Sequence, residues 1–223
     1  MEEKKYIKTV KSFIVRSGRM TKLQKNAIDN YTSLYGIEFK PGEMIDMASV
    51  FGNSNPVVME IGFGDGTATW QMAERNPETN YIAVDVYPPG VGALLNIVHE
   101  KGLKNVRVMN HDACEILETM IGDGALSGFH IFFPDPWQKK KHNKRRLINS
   151  DFVSFIVRKL RAGGYIYTVT DWAEYADQMH SVLEGEPALA KSGEAAPWRP
   201  VTKFETKGTS KGREIREFFY SLA

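Results

Sequence analysis

The sequence predicts an α/β fold: a mostly parallel sheet with helices on both faces and an antiparallel edge at its C-terminal end. Three observations predict it. Short, nearly continuous apolar runs recur from about residue 56 onward, and stretches of helical period separate them. After about residue 186, two strand-like runs follow one another with no helix between them. The 223 residues suit one domain with an extension rather than two domains. Residues 1–55 read as a basic, partly helical extension whose first dozen residues are expected to be mobile, and residues 56–223 as the domain proper.

Taken in order, residues 57–61, 81–86, 106–109, 129–133 and 165–170 read as buried strands, because they are short, β-rich and almost wholly apolar. Helices are expected at about 66–75, 91–101, 113–121, 150–161 and 172–184, the fourth of them stopped by Gly163-Gly164. Alternating βα units of this length imply a parallel sheet whose crossovers are right-handed. Gly185, Pro187, Gly193, Pro197 and Pro200 mark a loop, after which 201–205 and 214–220 are expected to pair as an antiparallel edge hairpin.

Composition narrows the function. Hydrophobic residues make up 42% and charged residues 25%, which excludes disordered and fibrous classes. The single cysteine, Cys114, allows no intrachain disulfide, and the N-terminus is not signal-like; both point to the cytoplasm. No apolar run is long enough for a membrane span. The five histidines lack metal-ligand spacing, so no metal is expected. No obligate protein partner is evident, and monomer and homodimer both stay open.

Charge is unevenly spread. Residues 1–30 carry eight cations (Lys4, Lys5, Lys8, Lys11, Arg16, Arg19, Lys22, Lys25) against three acids. Residues 138–146 carry six (Lys139, Lys140, Lys141, Lys144, Arg145, Arg146) and no acid, which leaves the other 184 residues at −9 within an overall +2. A mildly acidic body with two basic patches suggests a polyanion held at a defined place.

The first strand runs into Glu60-Ile61-Gly62-Phe63-Gly64-Asp65-Gly66. Glycines there let the backbone turn sharply and approach a ligand; a plain flexible turn is the competing reading. Thr67 stands where a dinucleotide fingerprint needs Gly or Ala, and Glu60 would repel a pyrophosphate. An acid suits a cationic ligand instead, and S-adenosylmethionine carries a sulfonium and an ammonium group. Asp85 ends the second strand, placed either to accept from ribose hydroxyls or to cap a helix. Asp112 follows the third, placed either to bond an adenine amino group or to cap the next helix. Acids at three successive strand ends favour S-adenosylmethionine over a nicotinamide cofactor.

The fourth strand ends Phe132-Phe133-Pro134-Asp135-Pro136-Trp137. Two prolines fix the backbone around Asp135 and remove two amide donors, and Trp137 offers a flat face to a base. A rigid turn with a core tryptophan is the alternative. The cations begin four residues later.

Here the sequence resembles the bacterial tRNA (guanine-N7-)-methyltransferases. The resemblance rests on residues 60–66, Pro88-Pro89-Gly90-Val91-Gly92, Asn110-His111-Asp112, residues 132–137 with His142-Asn143-Lys144-Arg145-Arg146, Thr170-Asp171-Trp172, and Arg199-Pro200-Val201-Thr202-Lys203-Phe204-Glu205, and it covers roughly residues 10 to 207. It implies a Rossmann-like class I methyltransferase with a seven-stranded sheet, which methylates N7 of the variable-loop guanine (position 46) of tRNA. By that resemblance Glu60, Gly62, Gly64, Asp85, Asp112 and Asp135 would contact S-adenosylmethionine, and Asp135 would also be the catalytic residue. Lys139, Asp171, Thr202, Lys203, Phe204 and Glu205 would meet the substrate, and Lys141, His142, Asn143, Lys144, Arg145 and Arg146 the RNA. Arg16, Arg19, Lys22 and Lys25 would also hold the tRNA backbone, a solvated helix face being the other reading. Three departures stand out: Asp85 where the family has Glu, Gln138 where His is common, and a tail over 207–223 without the family's glycine-histidine-glycine ending. Competing readings are a methyltransferase for another RNA atom or a small molecule, a non-catalytic RNA-binding module, and a nicotinamide oxidoreductase, which Glu60 and Thr67 disfavour.

Overall fold

A computed structural model describes residues 11–14 and 18–223. Lys4, Lys5, Lys8 and Arg16 lie outside the described residues, and so do most of the first dozen for which mobility is expected.

Helix α1 (Lys22–Tyr35) opens on a capping box, in which Thr21 accepts from the Gln24 amide and the Gln24 side chain accepts from the Thr21 amide. The short α2 (Met47–Phe51) is capped by Asp46. Alternation then begins: β1 (Val57–Ile61), α3 (Thr67–Arg75), β2 (Asn80–Val84), α4 (Pro88–Lys101), β3 (Val106–Met109), α5 (Ala113–Thr119), β4 (Leu126–Phe132), a 3-10 turn (Lys140–Arg145), α6 (Ser150–Val157), β5 (Leu160–Thr170) and α7 (Ala173–Glu184). Then come β6 (Leu189–Lys191), α8 (Lys203–Thr209) and β7 (Arg216–Leu222).

The seven strands form one sheet in the order β3-β2-β1-β4-β5-β7-β6. Pairs from β3 through β5 are parallel, while β5–β7 and β7–β6 are antiparallel. The predicted class, mostly parallel with an antiparallel C-terminal edge, is therefore correct. The chain steps from β1 outward through β2 to β3, then returns to β4 on the other side of β1. That reversal leaves a crevice at the strand C-termini, where open α/β sheets bind ligands.

Alternation along each strand divides the core. Val57, Met59, Ile61, Phe129 and Ile131 face α5, α6 and α7, where Phe152, Ile156, Tyr175 and Met179 pack. Val58, Ala83, Val108 and Phe132 face the opposite layer of α1, α3 and α4, against Ala27, Met72, Leu94 and Val98. Glu60 alternates with Met59 and so belongs to this second face. Helix α1 packs on α4, and a parallel bridge joins Gly36 to Val108.

Three expectations fail. The helix at 150–161 stops at Val157, because Arg158 and Lys159 give their carbonyls to Gly124 and Leu126 and so already pair with the start of β4. Gly163-Gly164 is therefore no helix stop. It lies inside β5, where Gly163 takes a φ of 71° at an irregularity in the ladder. The expected strand at 201–205 is a helix instead: Thr202 caps α8 by accepting from the Glu205 amide at 3.4 Å. The edge hairpin is real but pairs β7 with Leu189–Lys191, residues expected to be loop. No helix among the described residues is long and apolar enough to cross a membrane.

Candidate active site

The glycine loop leaves β1 in left-handed steps, with φ of 78° at Gly62, 63° at Gly64 and 78° at Gly66. Gly62 has open space where a Cβ would stand, so a ligand has access to the backbone there. From the other side α4 closes on the loop: a Cβ at Gly90 would lie 2.0 Å from the Gly64 carbonyl oxygen.

Three acids line this end of the sheet, Glu60 engaged by a side-chain hydroxyl and Asp85 and Asp112 by backbone amides. Glu60 is 2% exposed and accepts from the Thr69 hydroxyl at 2.6 Å. Burial pushes its pKa up to about 7; the Thr69 bond pulls it down, and the charges of Asp85 and Asp65 push it up. Asp85 accepts from the Gly64 amide at 2.9 Å and the Tyr87 amide at 3.0 Å, so it holds the glycine loop to the start of α4. Burial also raises its pKa, against the lowering effect of those amides. Asp112 caps α5 through the Cys114 amide at 3.0 Å, while its second oxygen lies 3.8 Å from Lys11 Nζ. Capping, one of the two roles open for these acids, is thus observed for Asp112, whereas Asp85 ties two loops together without capping α4, whose N-cap is Tyr87; each carboxylate keeps lone pairs for a ligand.

Across β1, strand β4 delivers Asp135 on a strained loop. Phe133 and Trp137 both take left-handed backbone, with φ of 51° and 48°. Each costs roughly 1–2 kcal/mol for a non-glycine residue, and such strain concentrates at functional sites. The Phe133 amide donates to the Val169 carbonyl at 2.8 Å, and Trp137 Nε1 donates to the Ser12 carbonyl at 2.9 Å. Asp135, between two prolines, is exposed. Neighbouring parallel strands sit roughly 4.8 Å apart, so the ends of β3, β2, β1 and β4 span on the order of 15 Å. Glu60, Asp85, Asp112 and Asp135 therefore share one rim.

The basic run forms the 3-10 turn directly after that loop. Lys139, Lys140, Lys141 and Lys144 are exposed, and Arg145 stacks 4.9 Å over Trp137. His142 lies 5.8 Å from the same ring. Partial shielding there, then the charges of Lys141, Arg145, Lys139 and Lys144, hold its imidazole below the usual range. Two members of the run point inward. Asn143 donates to Glu174 at 3.0 Å, and Arg146 is buried under the loop, out of reach of a phosphate. Arg19, Lys22 and Lys25 are exposed at the start of α1.

Helix α8 brings the last group in. Lys203 pairs with Asp65 at 3.2 Å, the Phe204 ring lies 3.2 Å from where a Gly64 Cβ would stand, and Gly208 abuts Asp171. Glu205 is held by Arg199, which also grips Glu217. Asp171 accepts from Arg213 at 2.7 Å. Where a strand is expected over 201–205, the helix turns Thr202 inward as a cap and leaves Phe204 exposed. Sequence reasoning missed Arg199 and Arg213 as the partners of Glu205 and Asp171. It also missed Ser12 and Lys11, which cross the ends of β4 and β3. Apart from Arg199 and Glu205, six residues apart, these contacts join residues distant in sequence, and no local signal marks them. Among the described residues no group of three or more His, Cys, Asp or Glu is placed to hold a metal.

Comparison with known proteins points to one family. A family described as "Putative methyltransferase" matches residues 54–218. The tRNA (guanine-N(7)-)-methyltransferase of Neisseria meningitidis serogroup A is 46% identical over 217 residues, covering 96% of this chain and 91% of that protein. That of Chromobacterium violaceum is 43% identical and covers 99% of both. Among solved structures, the 16S rRNA methyltransferase KamB superimposes with a TM-score of 0.56 at 12% identity, over 85% of this chain and 99% of that one. An S-adenosylmethionine-dependent O-methyltransferase from Thermotoga maritima gives 0.51 at 13%, over 88% and 71%. These two share the class I methyltransferase fold. Near-complete coverage at such identity, on a sheet of this order, decides the matter: the chain belongs to the family of tRNA (guanine-N(7)-)-methyltransferases.

Proposed function

We propose that the protein transfers the methyl group of S-adenosylmethionine to N7 of the variable-loop guanine of tRNA. One observation carries the reading: a strained, proline-bracketed loop presents Asp135 between a rim of carboxylates and a patch of exposed cations. The residues fit the cofactor, because the open backbone at Gly62 admits a ligand closely and the buried Glu60 favours a cation over a phosphate. Glu60, Gly62, Gly64, Asp85 and Asp112 would hold it, and when bound it supplies a methyl group on a sulfonium centre.

Guanine N7 carries an in-plane lone pair, so no proton need be removed before attack. The protein has to align the base and exclude water. Positive charge grows on the purine as the methyl arrives. Asp135 stabilises that charge while accepting from the N1–H and amino edge of the base, and Asp171 lies at the neighbouring strand end to assist. Phe204, exposed beside the glycine loop, offers a stacking face. A tRNA substrate and one buried, unbridged cysteine support the cytoplasm as the place of action.

Incubating the protein with unmodified tRNA and methyl-labelled cofactor, then digesting to nucleosides, tests the reading. Label should appear as 7-methylguanosine; label in any other nucleoside, or none, refutes it. Four exposed cations of the run and the half-buried Arg145, with help from Arg19, Lys22 and Lys25, should neutralise about six phosphates. The log–log salt slope of tRNA affinity should then be about −4 to −5, and a near-flat response would contradict RNA binding here.

Glu60 gives a second signature. Its raised pKa costs the free protein stability progressively from about pH 4.5 to 7, as burial resists ionisation. A bound cation favours the ionised form, so cofactor affinity should rise about tenfold between pH 6 and pH 8, with proton release near pH 6. Titration calorimetry at those pH values measures it. Glu60→Gln should flatten the profile; an unchanged profile would remove Glu60 from the cationic site.

A further inference from the structure

Arg146 reads in sequence as the sixth cation of an RNA-binding run, yet its side chain is only 2% exposed. Its Nε donates to the Pro136 carbonyl at 2.8 Å, and its Nη1 donates to Gln178 Oε1 at 2.8 Å. Its Nη2 lies 3.5 Å from Glu174 Oε1, and the guanidinium sits 4.9 Å over the Tyr175 ring. Gln178 in turn donates to the Ile148 carbonyl at 2.9 Å, which anchors the fork to the floor of α7 and the start of α6. The carbonyl that Arg146 grips belongs to the residue directly after Asp135. Flanking it are two residues in left-handed backbone, Phe133 and Trp137, and two prolines that lack amide donors. A loop in that state persists only where its surroundings over-determine it. A buried guanidinium is a poor device for stability alone, since an apolar side chain of like volume does as well.

We infer that Arg146 is a positioning residue for methyl transfer, fixing the Asp135 carboxylate through the Pro136 carbonyl while contributing nothing to phosphate binding. The inference rests on the reading of Asp135 given above. Arg146 acts through a bidentate geometry that lysine, with one ammonium, does not reproduce. It therefore separates rate from affinity, unlike the exposed cations beside it.

Arg146→Lys keeps the charge and removes the fork. With unmodified tRNA, kcat should fall about 10- to 100-fold while KM for tRNA stays within twofold. The salt slope of tRNA affinity should stay unchanged, whereas Lys141→Gln should lower that slope by about 0.7 to 0.9. Trp137 labelled with 5-fluorotryptophan should show a shifted or broadened fluorine resonance in Arg146→Lys. Gln178→Ala, which removes the Nη1 anchor at a partly exposed position, gives the readout if Arg146→Lys fails to fold: a kcat loss of threefold or more at unaltered cofactor Kd. Full activity in either folded variant overturns the inference, as does a rate loss recovered at saturating tRNA with a reduced salt slope. Inactive wild-type protein would overturn the Asp135 reading itself. Active wild type and inactive Asp135→Asn, with Arg146→Lys at full rate, would sink only the role of Arg146.

Discussion

Asp135→Asn lowers the single-turnover rate of methyl transfer by about a thousandfold and leaves tRNA affinity within threefold of wild type. The expectation follows from where the residue stands. Its loop is held by the Phe133 amide on Val169, the Trp137 indole on Ser12 and the Arg146 fork on Pro136, none of which uses the Asp135 side chain. Asparagine has the size and shape of aspartate, so it enters the same geometry without the charge. It also turns an N–H donor toward the N1–H edge of the base, where an acceptor is needed. The phosphate-facing cations are untouched, so binding survives. A large loss of tRNA affinity at an intact rate would mean that Asp135 builds the RNA surface and does not serve the transfer.

The second large effect is on the fold. Gly90→Ala should destabilise the protein by about 3 kcal/mol and lower Tm by roughly 6–12 °C. A methyl there would meet the Gly64 carbonyl oxygen at 2.0 Å, and both partners are backbone, so α4 and the glycine loop must separate. Because Asp85 joins the same two elements, cofactor affinity should fall in parallel. Gly122 has no atom within 4 Å of a would-be Cβ and no left-handed backbone, so Gly122→Ala serves as the control, with Tm within about 2 °C of wild type. Equal Tm for the two variants would show that the close approach of α4 to the loop carries no weight.

The parallel part of the sheet was legible because strands covered on both faces read as unbroken apolar runs; β1 and β3 agree with their expected bounds to the residue. The C-terminal edge was not. Leu189–Lys191 is three residues long inside a stretch rich in Gly and Pro, and only pairing with β7 makes it a strand. Thr202-Lys203-Phe204-Glu205 carries the spacing of a capping box, a helix signal that the expected strand at 201–205 passes over. For the site, the glycine loop and the strand-end acids were readable from motif and position. What escaped was the sorting of like charges. Arg145 and Arg146 are neighbours in one run, yet the first lies on the Trp137 face and the second lies beneath the loop. That difference is set by Glu174 and Gln178, some thirty residues downstream, and local composition does not record it.

The most direct measurement uses two tRNAs that differ at one atom, one with guanosine and one with 7-deazaguanosine at the variable-loop position. Under single-turnover conditions the account predicts stoichiometric label on the first and none on the second, with equal affinity for both. Label carried equally by the deaza substrate would place the methyl elsewhere and contradict it.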